Sequence, residues 1–375
     1  MPILFKRMSY LHSIVELQVQ LPLSTKLQEE EQKKRSYLLS PPKAGAWKIS
    51  IIPITALPAT MWLYLAVLVG LYLLLRWYWE GQTVENLREK YVFITGCDSG
   101  FGNKLAKQLD AQGLQVLAAC FTQEGAEELE RLTSDRLKVT ILDVTSTESV
   151  KAATEWVKGI VGSKGLWGLV NNAGIGLPTA PNGWLTKDDF ANVINVNLLG
   201  LIDVTLHMLP LVRAARGRVV NVSSCSGRVS IIGGGYNPSK YGVEAFSDSL
   251  RRELLPFRVR VSIIEPGAFA NAMADIIQEN MKVTWDRTPS DIKDAYGEQY
   301  FEFYCKTLQD LIKNSNPNLY LVTDCMEHAL TSRYPRTRYS AGWDAKLFYI
   351  PLSYMPTFVA DYVLALFFPK PAQAV

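Results

Sequence analysis

From Tyr91 to Ile264 the chain alternates short apolar runs with helix-periodic stretches, and no other feature restricts its fold as tightly. Runs at Tyr91–Thr95, Leu114–Cys120, Leu137–Leu142, Gly168–Val170, Arg218–Val222 and Val259–Ile264 read as strands. Between them come a helix with Leu105, Ala106 and Leu109 on one face and a charged helix over Gly125–Leu132. A helix with Val150, Ala153, Trp156 and Val157, a long one over Asp189–Pro210 and another over Tyr236–Leu255 complete the series. Parallel strands need such crossovers, and right-handed crossovers lay helices on both faces of a sheet. The predicted fold is α/β, a doubly wound parallel sheet in one domain over residues 88–320. With 48% apolar and 20% charged residues the chain can bury such a core, which excludes wholesale disorder.

Two segments of different texture come first. Residues 1–48 have no steady period and carry Glu29–Glu31, Lys33–Arg35 and Pro41-Pro42, so they are expected to be a disordered extension. Residues 49–80 are expected to anchor the chain in a membrane. No charge lies between Lys48 and Arg76, Met61–Leu75 is continuously apolar, and Arg76, Trp77, Tyr78 and Trp79 form a cationic and aromatic belt. With its flanks the run reaches the roughly 20 residues a span requires. No small-residue cleavage site follows it, which disfavours a removable signal. Lys48 alone directly borders the uncharged stretch on its N-terminal side, while Arg76, Arg88 and Lys90 follow it, which points the main domain to the cytosol. Residues 321–375 are expected to be a membrane-associated tail. Leu347–Phe368 has one charge, Asp361, but Pro351 and Pro356 favour a surface segment over a second span.

Composition removes several functions. Thirty-nine Lys+Arg against 36 Asp+Glu leave a charge of +3, without the basic excess a nucleic-acid partner requires. His12, His207 and His328 do not pair at ligand spacing, so no metal is expected. The five cysteines show no disulfide or metal pattern, and Cys97 reads as a small space-filling residue.

The turn after the first strand reads Thr95-Gly96-Cys97-Asp98-Ser99-Gly100-Phe101-Gly102. Its glycines permit a tight turn and let backbone N–H groups approach a pyrophosphate at the helix N-terminus. A strand before and an amphipathic helix after are the context that makes this a Rossmann-type nucleotide site. Asp143-Val144 ends the third strand and Asn171-Asn172-Ala173-Gly174 the fourth, both on the ligand-binding edge of such a sheet. Tyr236 and Lys240 are one helical turn apart. An ammonium about 4 Å from a phenol favours phenolate by roughly 4 kcal/mol, about three pKa units, and is expected to bring Tyr236 toward neutrality. Such a base can take a proton from an alcohol. Ser224, twelve residues earlier and just past a strand, is placed to donate to a carbonyl oxygen as charge develops. No Gly-x-Ser-x-Gly surrounds it, so hydrolysis is set aside.

Each motif alone is weak. In order, Thr95-Gly96-x3-Gly100-x-Gly102, Asn171-Asn-Ala-Gly174, Asn197 in Asn195–Gly200, Ser224, Tyr236-x3-Lys240 and Pro266-Gly267 resemble the short-chain dehydrogenase/reductase family. Trp62–Leu75, Lys90–Gly102 and Pro335–Lys346 resemble its microsomal retinol dehydrogenases and hydroxysteroid dehydrogenases and epimerases more closely. The resemblance covers Met61–Val375, and such proteins begin near Met61. It implies that Tyr236 is the general acid/base, that Lys240 lowers its pKa and holds the nicotinamide ribose, and that Ser224 binds and orients the substrate oxygen. Asn197 would anchor a water in a proton relay. Gly96, Gly100 and Gly102 would cradle the pyrophosphate, with Thr95, Ser99, Phe101, Ala173, Gly174, Pro266 and Gly267 completing the cofactor site. Asp143 and Val144 would flank the adenine, and Asn171 would support the backbone on the cofactor side. The implied activity is hydride transfer between NAD and a lipophilic secondary or allylic alcohol, a retinol or a 3α- or 17β-hydroxysteroid, at the endoplasmic reticulum membrane. Epimerisation by oxidation and re-reduction, and nucleotide binding without turnover, stand as alternatives, and a homodimer is left open.

Two positions depart from the family pattern. The second strand ends Ala119-Cys120-Phe121-Thr122, without the acid that commonly grips the adenosine ribose. No Lys or Arg lies between Gln115 and Glu130 to meet a 2′-phosphate, so NAD is expected over NADP. After Pro266-Gly267, Asn271 stands where the family commonly places a threonine. The insert between Ala272 and Asn316, with Trp285, Tyr296, Tyr300, Phe301, Phe303 and Tyr304, is expected to wall a substrate pocket.

Overall fold

The structure, a computed structural model, describes residues 59–270 and 274–374. The expected extension over 1–48, the start of the expected anchor and Asn271 lie outside the described residues. The chain divides into two units, Met1–Gly70 and Leu71–Val375. Helix α1, Ala59–Glu80, is long and apolar enough to cross a membrane, and its large apolar side chains are exposed.

The second unit contains seven parallel strands: β1 Tyr91–Thr95, β2 Gln115–Cys120, β3 Lys138–Ile141, β4 Gly168–Asn171, β5 Arg218–Val222, β6 Arg260–Pro266 and β7 Arg338–Ala341. Their order across the sheet is β3-β2-β1-β4-β5-β6-β7. Strands buried on both faces explain the continuous apolar runs. Side chains alternate between two cores: Val92 and Ile94 face one, Phe93 the other, and in β2 Val116 and Ala118 oppose Leu117 and Ala119. Helices α2 (Gly100–Ala111), α3 (Gln123–Arg131) and α11 (Tyr320–Thr331) cover the first face through residues such as Leu105, Leu129 and Met326. Helices α4 (Thr147–Val161), α6 (Leu201–Ala214) and α7 (Tyr236–Leu254) cover the second through Val157, Met208 and Leu250.

The boundary expected at residue 320 falls inside this unit. Helix α11 packs on the sheet, and β7 pairs with β6 from Ile263↔Arg338 to Pro266↔Ala341. The helix expected over Asp189–Pro210 is α5 (Lys187–Ile194) and α6 joined by a π turn, Asn195–Gly200, at Asn197. Although apolar enough to span a membrane, that stretch is nearly half buried and belongs to the core.

Helices α8 (Ala274–Arg287), α9 (Ser290–Tyr296) and α10 (Glu298–Lys313) form the insert. Trp285, Tyr296, Tyr300, Phe301 and Tyr304 gather around the buried Trp184 as a third, aromatic core. Phe303 remains exposed. The C-terminal segment returns to this cluster: Phe368 stacks on Tyr304, and Ala372 N donates to Tyr296 O at 2.9 Å. Its helix α12, Thr357–Ala365, is too short to span a bilayer. Leu347, Tyr354, Phe358, Tyr362 and Leu366 are exposed along the C-terminal segment, Phe358 and Tyr362 on this helix.

Candidate active site

The strand order reverses between β1 and β4, and a doubly wound sheet opens its ligand crevice at that point. The two loops leaving these strands are laced together. Thr95 Oγ1 accepts from the N–H groups of Asn172 and Ala173, each at 3.0 Å. Asn172 Nδ2 donates to Thr95 O at 3.0 Å and to Gly96 O at 2.9 Å. A Cβ on Gly96 would stand 2.8 Å from Ala173 Cα, and one on Gly102 would stand 2.3 Å from Gly96 O, so both glycines are sterically required. Gly100, at φ +62°, opens α2 with nothing within 4 Å of its Cβ direction. Open space over an N-terminus, floored by glycine backbone, fits a pyrophosphate, and the residues present fit a nicotinamide dinucleotide. Ser99 is exposed there and makes no capping bond, and Phe101 meets Phe269 edge-on at 5.7 Å. Cys97 is buried, donates to Ile94 O, and burial pushes its thiol up, which suits a space-filling role.

The support expected from Asn171 comes from Asn172 instead. Asn171 points the other way, as successive strand residues must, and donates to Thr205 Oγ1 and Asn221 Oδ1, both at 2.8 Å inside the core. Asn221 is itself fully buried. Asp143 closes its own turn, accepting from Thr145 N and Oγ1, while the buried Val144 packs against Gly200.

Tyr236 is the first residue of α7, with Pro238 in the first turn where its missing N–H costs no bond. Ser224 leaves β5, accepts from Ser226 N and donates to Pro266 O at 3.4 Å. Burial pushes the Tyr236 phenol up to about 12, and the Ser224 hydroxyl beside it opposes that shift. Lys240, 5% exposed, donates from Nζ to Val222 O at 2.9 Å. Burial pulls its ammonium down to about 8. The ammonium lies 5.6 Å from the Tyr236 ring centroid. These values reverse the expected depression of the phenol. The lysine faces the ring, spends one donor on a strand carbonyl, and both groups are desolvated, so burial wins.

Asn197 is fully buried in the π turn. Its Oδ1 accepts from Ile175 N at 2.8 Å, and Nδ2 donates to Ile175 O and Ser239 Oγ. With both amide hydrogens spent, the side chain braces the loop after Gly174. A Cβ on Gly174 would approach Asn197 Oδ1 to 3.1 Å and Lys240 Nζ to 3.7 Å, which brings the three residues to one point. On the far side, Gly267 N donates to Ala341 O, and Asp344 accepts from Ala268 N at 2.6 Å. A Cβ at Gly267 would stand 2.2 Å from Asp344 Oδ2. Asn172 and Asp344 escaped the sequence reading. The first was visible only as a neighbour of Asn171, and the second only in the stretch Pro335–Lys346.

Residues 90–282 match the family described as short chain dehydrogenase. The chain belongs to that family, and it is an oxidoreductase built to use a nicotinamide cofactor. It is 62% identical over 317 residues, 84% of this chain and 100% of the relative, to 17-beta-hydroxysteroid dehydrogenase type 6 of Homo sapiens. It is 60% identical, over the same shares, to retinol dehydrogenase 7 of Rattus norvegicus. A short chain dehydrogenase/reductase from Burkholderia phymatum, solved in complex with NAD, shares the fold with TM-score 0.59 at 19% identity, over 76% of this chain and 97% of that one.

Proposed function

We propose that this protein oxidises a lipophilic secondary or allylic alcohol, a retinol or a 3α- or 17β-hydroxysteroid, with NAD. The convergence of Tyr236, Ser224 and Lys240 beside the glycine-rich turn carries this reading, and the names of the close relatives support the substrate class. NAD, when bound, supplies the hydride acceptor. The positive charge of a bound oxidised nicotinamide would oppose the burial that holds the phenol up. Tyr236, ionised as phenolate, would then take the hydroxyl proton as the carbinol carbon gives up its hydride, while Ser224 holds the same oxygen. Lys240, with one donor on Val222 O, has two left for ribose hydroxyls. Asn197 acts as a brace for this group, with no water bound through its amide hydrogens. Helix α1 anchors the chain in the endoplasmic reticulum membrane, and the exposed apolar tail rests on the bilayer, so that substrate enters from lipid. The insert, whose aromatics pack into a core of their own around Trp184, is read as the element that carries one wall of the pocket.

The test is turnover in microsomes expressing the chain, given NAD and a panel of retinols and hydroxysteroids, with Tyr236→Phe as control. Oxidation by the wild type that is lost in the variant supports the proposal. Equal rates for the two remove the proton-transfer role, and a silent panel removes the substrate class.

A further inference from the structure

The acid missing from the end of β2 has a counterpart in space. Asp98, inside the glycine-rich turn, crosses to the first residues beyond β2. Its Oδ1 accepts from Thr122 N and Thr122 Oγ1, both at 2.8 Å, and from Phe121 N at 3.1 Å. Its Oδ2 accepts from Phe121 N at 2.9 Å and, among the described residues, from no other group, so a lone pair remains for a further donor. The carboxylate is locked in place: Thr122 Oγ1 also caps α3 by accepting from Gly125 N, and a Cβ on Gly125 would stand 2.8 Å from Asp98 Oδ1. The helix that follows, α3, carries Glu124, Glu127, Glu128 and Glu130 against one cation, Arg131 in its last turn, and no Lys or Arg lies between Gln115 and Glu130.

The carboxylate therefore lies within hydrogen-bond range of the backbone from which an acid gripping the adenosine ribose ordinarily projects. We propose that Asp98 selects NAD over NADP by accepting a hydrogen bond from the adenosine ribose and repelling a 2′-phosphate. The inference rests on the reading of the turn as a dinucleotide site and assigns the selectivity to one side chain that comes from β1 rather than β2. A phosphate of roughly −2 charge brought against a fixed carboxylate binds at least about tenfold more weakly, even in a largely solvated site.

The experiment is calorimetric titration of the full chain in detergent with NAD and with NADP, for wild type and Asp98→Asn. The wild type is expected to bind NAD more tightly, and Asp98→Asn to reduce the ratio of the two dissociation constants at least about tenfold. A bracing role alone would weaken both nucleotides and leave the ratio unchanged, and that result overturns the proposal. The wild-type ratio measured at rising salt decides independently if the variant fails to fold. Repulsion predicts that the ratio narrows, and a constant or widening ratio refutes it. A wild type that prefers NADP sinks the NAD reading as well. A wild type that prefers NAD, with a variant of unchanged ratio, sinks only the role of Asp98.

Discussion

Replacing Lys240 with methionine is expected to stabilise the protein at neutral pH. Burial moves this lysine from its ordinary 10.5 to about 8. Below pH 8 the side chain is charged in both folded and unfolded chains, and the fold bears the whole desolvation cost. Two and a half pKa units correspond to about 3 kcal/mol. Methionine fills similar space without that cost but loses the bond to Val222 O, a charged-donor bond of about 1.5–3 kcal/mol. The net gain at pH 7 is therefore at most about 1–2 kcal/mol. As pH rises from 8 to 10.5 the folded lysine neutralises while the unfolded one stays charged, so the cost fades but the bond remains. The order of stability should then invert, with the wild type more stable above pH 10. Tyr236, pushed up to about 12, stays neutral in both folded proteins over this window and does not mask the effect. Urea unfolding of both proteins in detergent from pH 7 to 10.5 measures it. A stability difference that does not change with pH would refute the argument. The same variant should lose turnover, as expected where a fold carries a destabilising group for function.

Three other outcomes are expected. Tyr236→Phe lowers turnover at least about 100-fold while NAD affinity, read by calorimetry, stays within about twofold, because only the hydroxyl is removed. Asn172→Ala removes two bonds that hold the glycine-rich turn to the β4 loop, costing about 1–3 kcal/mol between stability and nucleotide affinity. Thermal unfolding with and without NAD separates the two shares. Gly102→Ala forces a methyl to 2.3 Å from Gly96 O, so nucleotide binding should fall at least about tenfold while far-ultraviolet circular dichroism remains that of the wild type.

The sheet was legible where strands are buried on both faces, because each then reads as an apolar run. At the edge that signal fades. The run Leu137–Leu142 contains only Lys138–Ile141 as β3, whose side chains are half exposed. Strand β7, Arg-Tyr-Ser-Ala, buries only Tyr339 and Ala341, and four residues alternating this way carry no recognisable pattern. In the site, Tyr236, Lys240 and Ser224 were visible because they follow the glycine-rich turn and Asn171–Gly174 in an ordered set, each motif being weak alone. The electrostatic expectation for Tyr236 failed for a physical reason: it set the ammonium against the phenol oxygen and left out desolvation of both partners. Residues that act on backbone were hidden, since which carbonyl an Asn or Asp side chain meets depends on the path of a loop.

Those hidden residues share a task with Asn197. Past the carboxyl ends of parallel strands the ladder of backbone bonds stops, and the loops that carry a site must diverge to opposite faces. In this protein the gaps between neighbouring loops are bridged by a side chain from one reaching the backbone of the next. Asp98 ties the β1 loop to the end of β2, and Asn172 ties the β4 loop to the end of β1. Asp344 ties the segment after β7 to that after β6, and Asn197 ties the π turn to the loop after β4. Asp98, Asn172 and Asn197 each place two or more bonds, and Asp344 one, where a bare loop would have water. At about 1 kcal/mol per bond, four such bridges hold the loops with an energy comparable to a sizeable part of a domain's whole stability. A pocket for a lipophilic alcohol supplies few polar contacts to order its own walls, so the order has to be built into the protein before the substrate arrives. The bridging bonds at the mouth of the sheet meet that requirement.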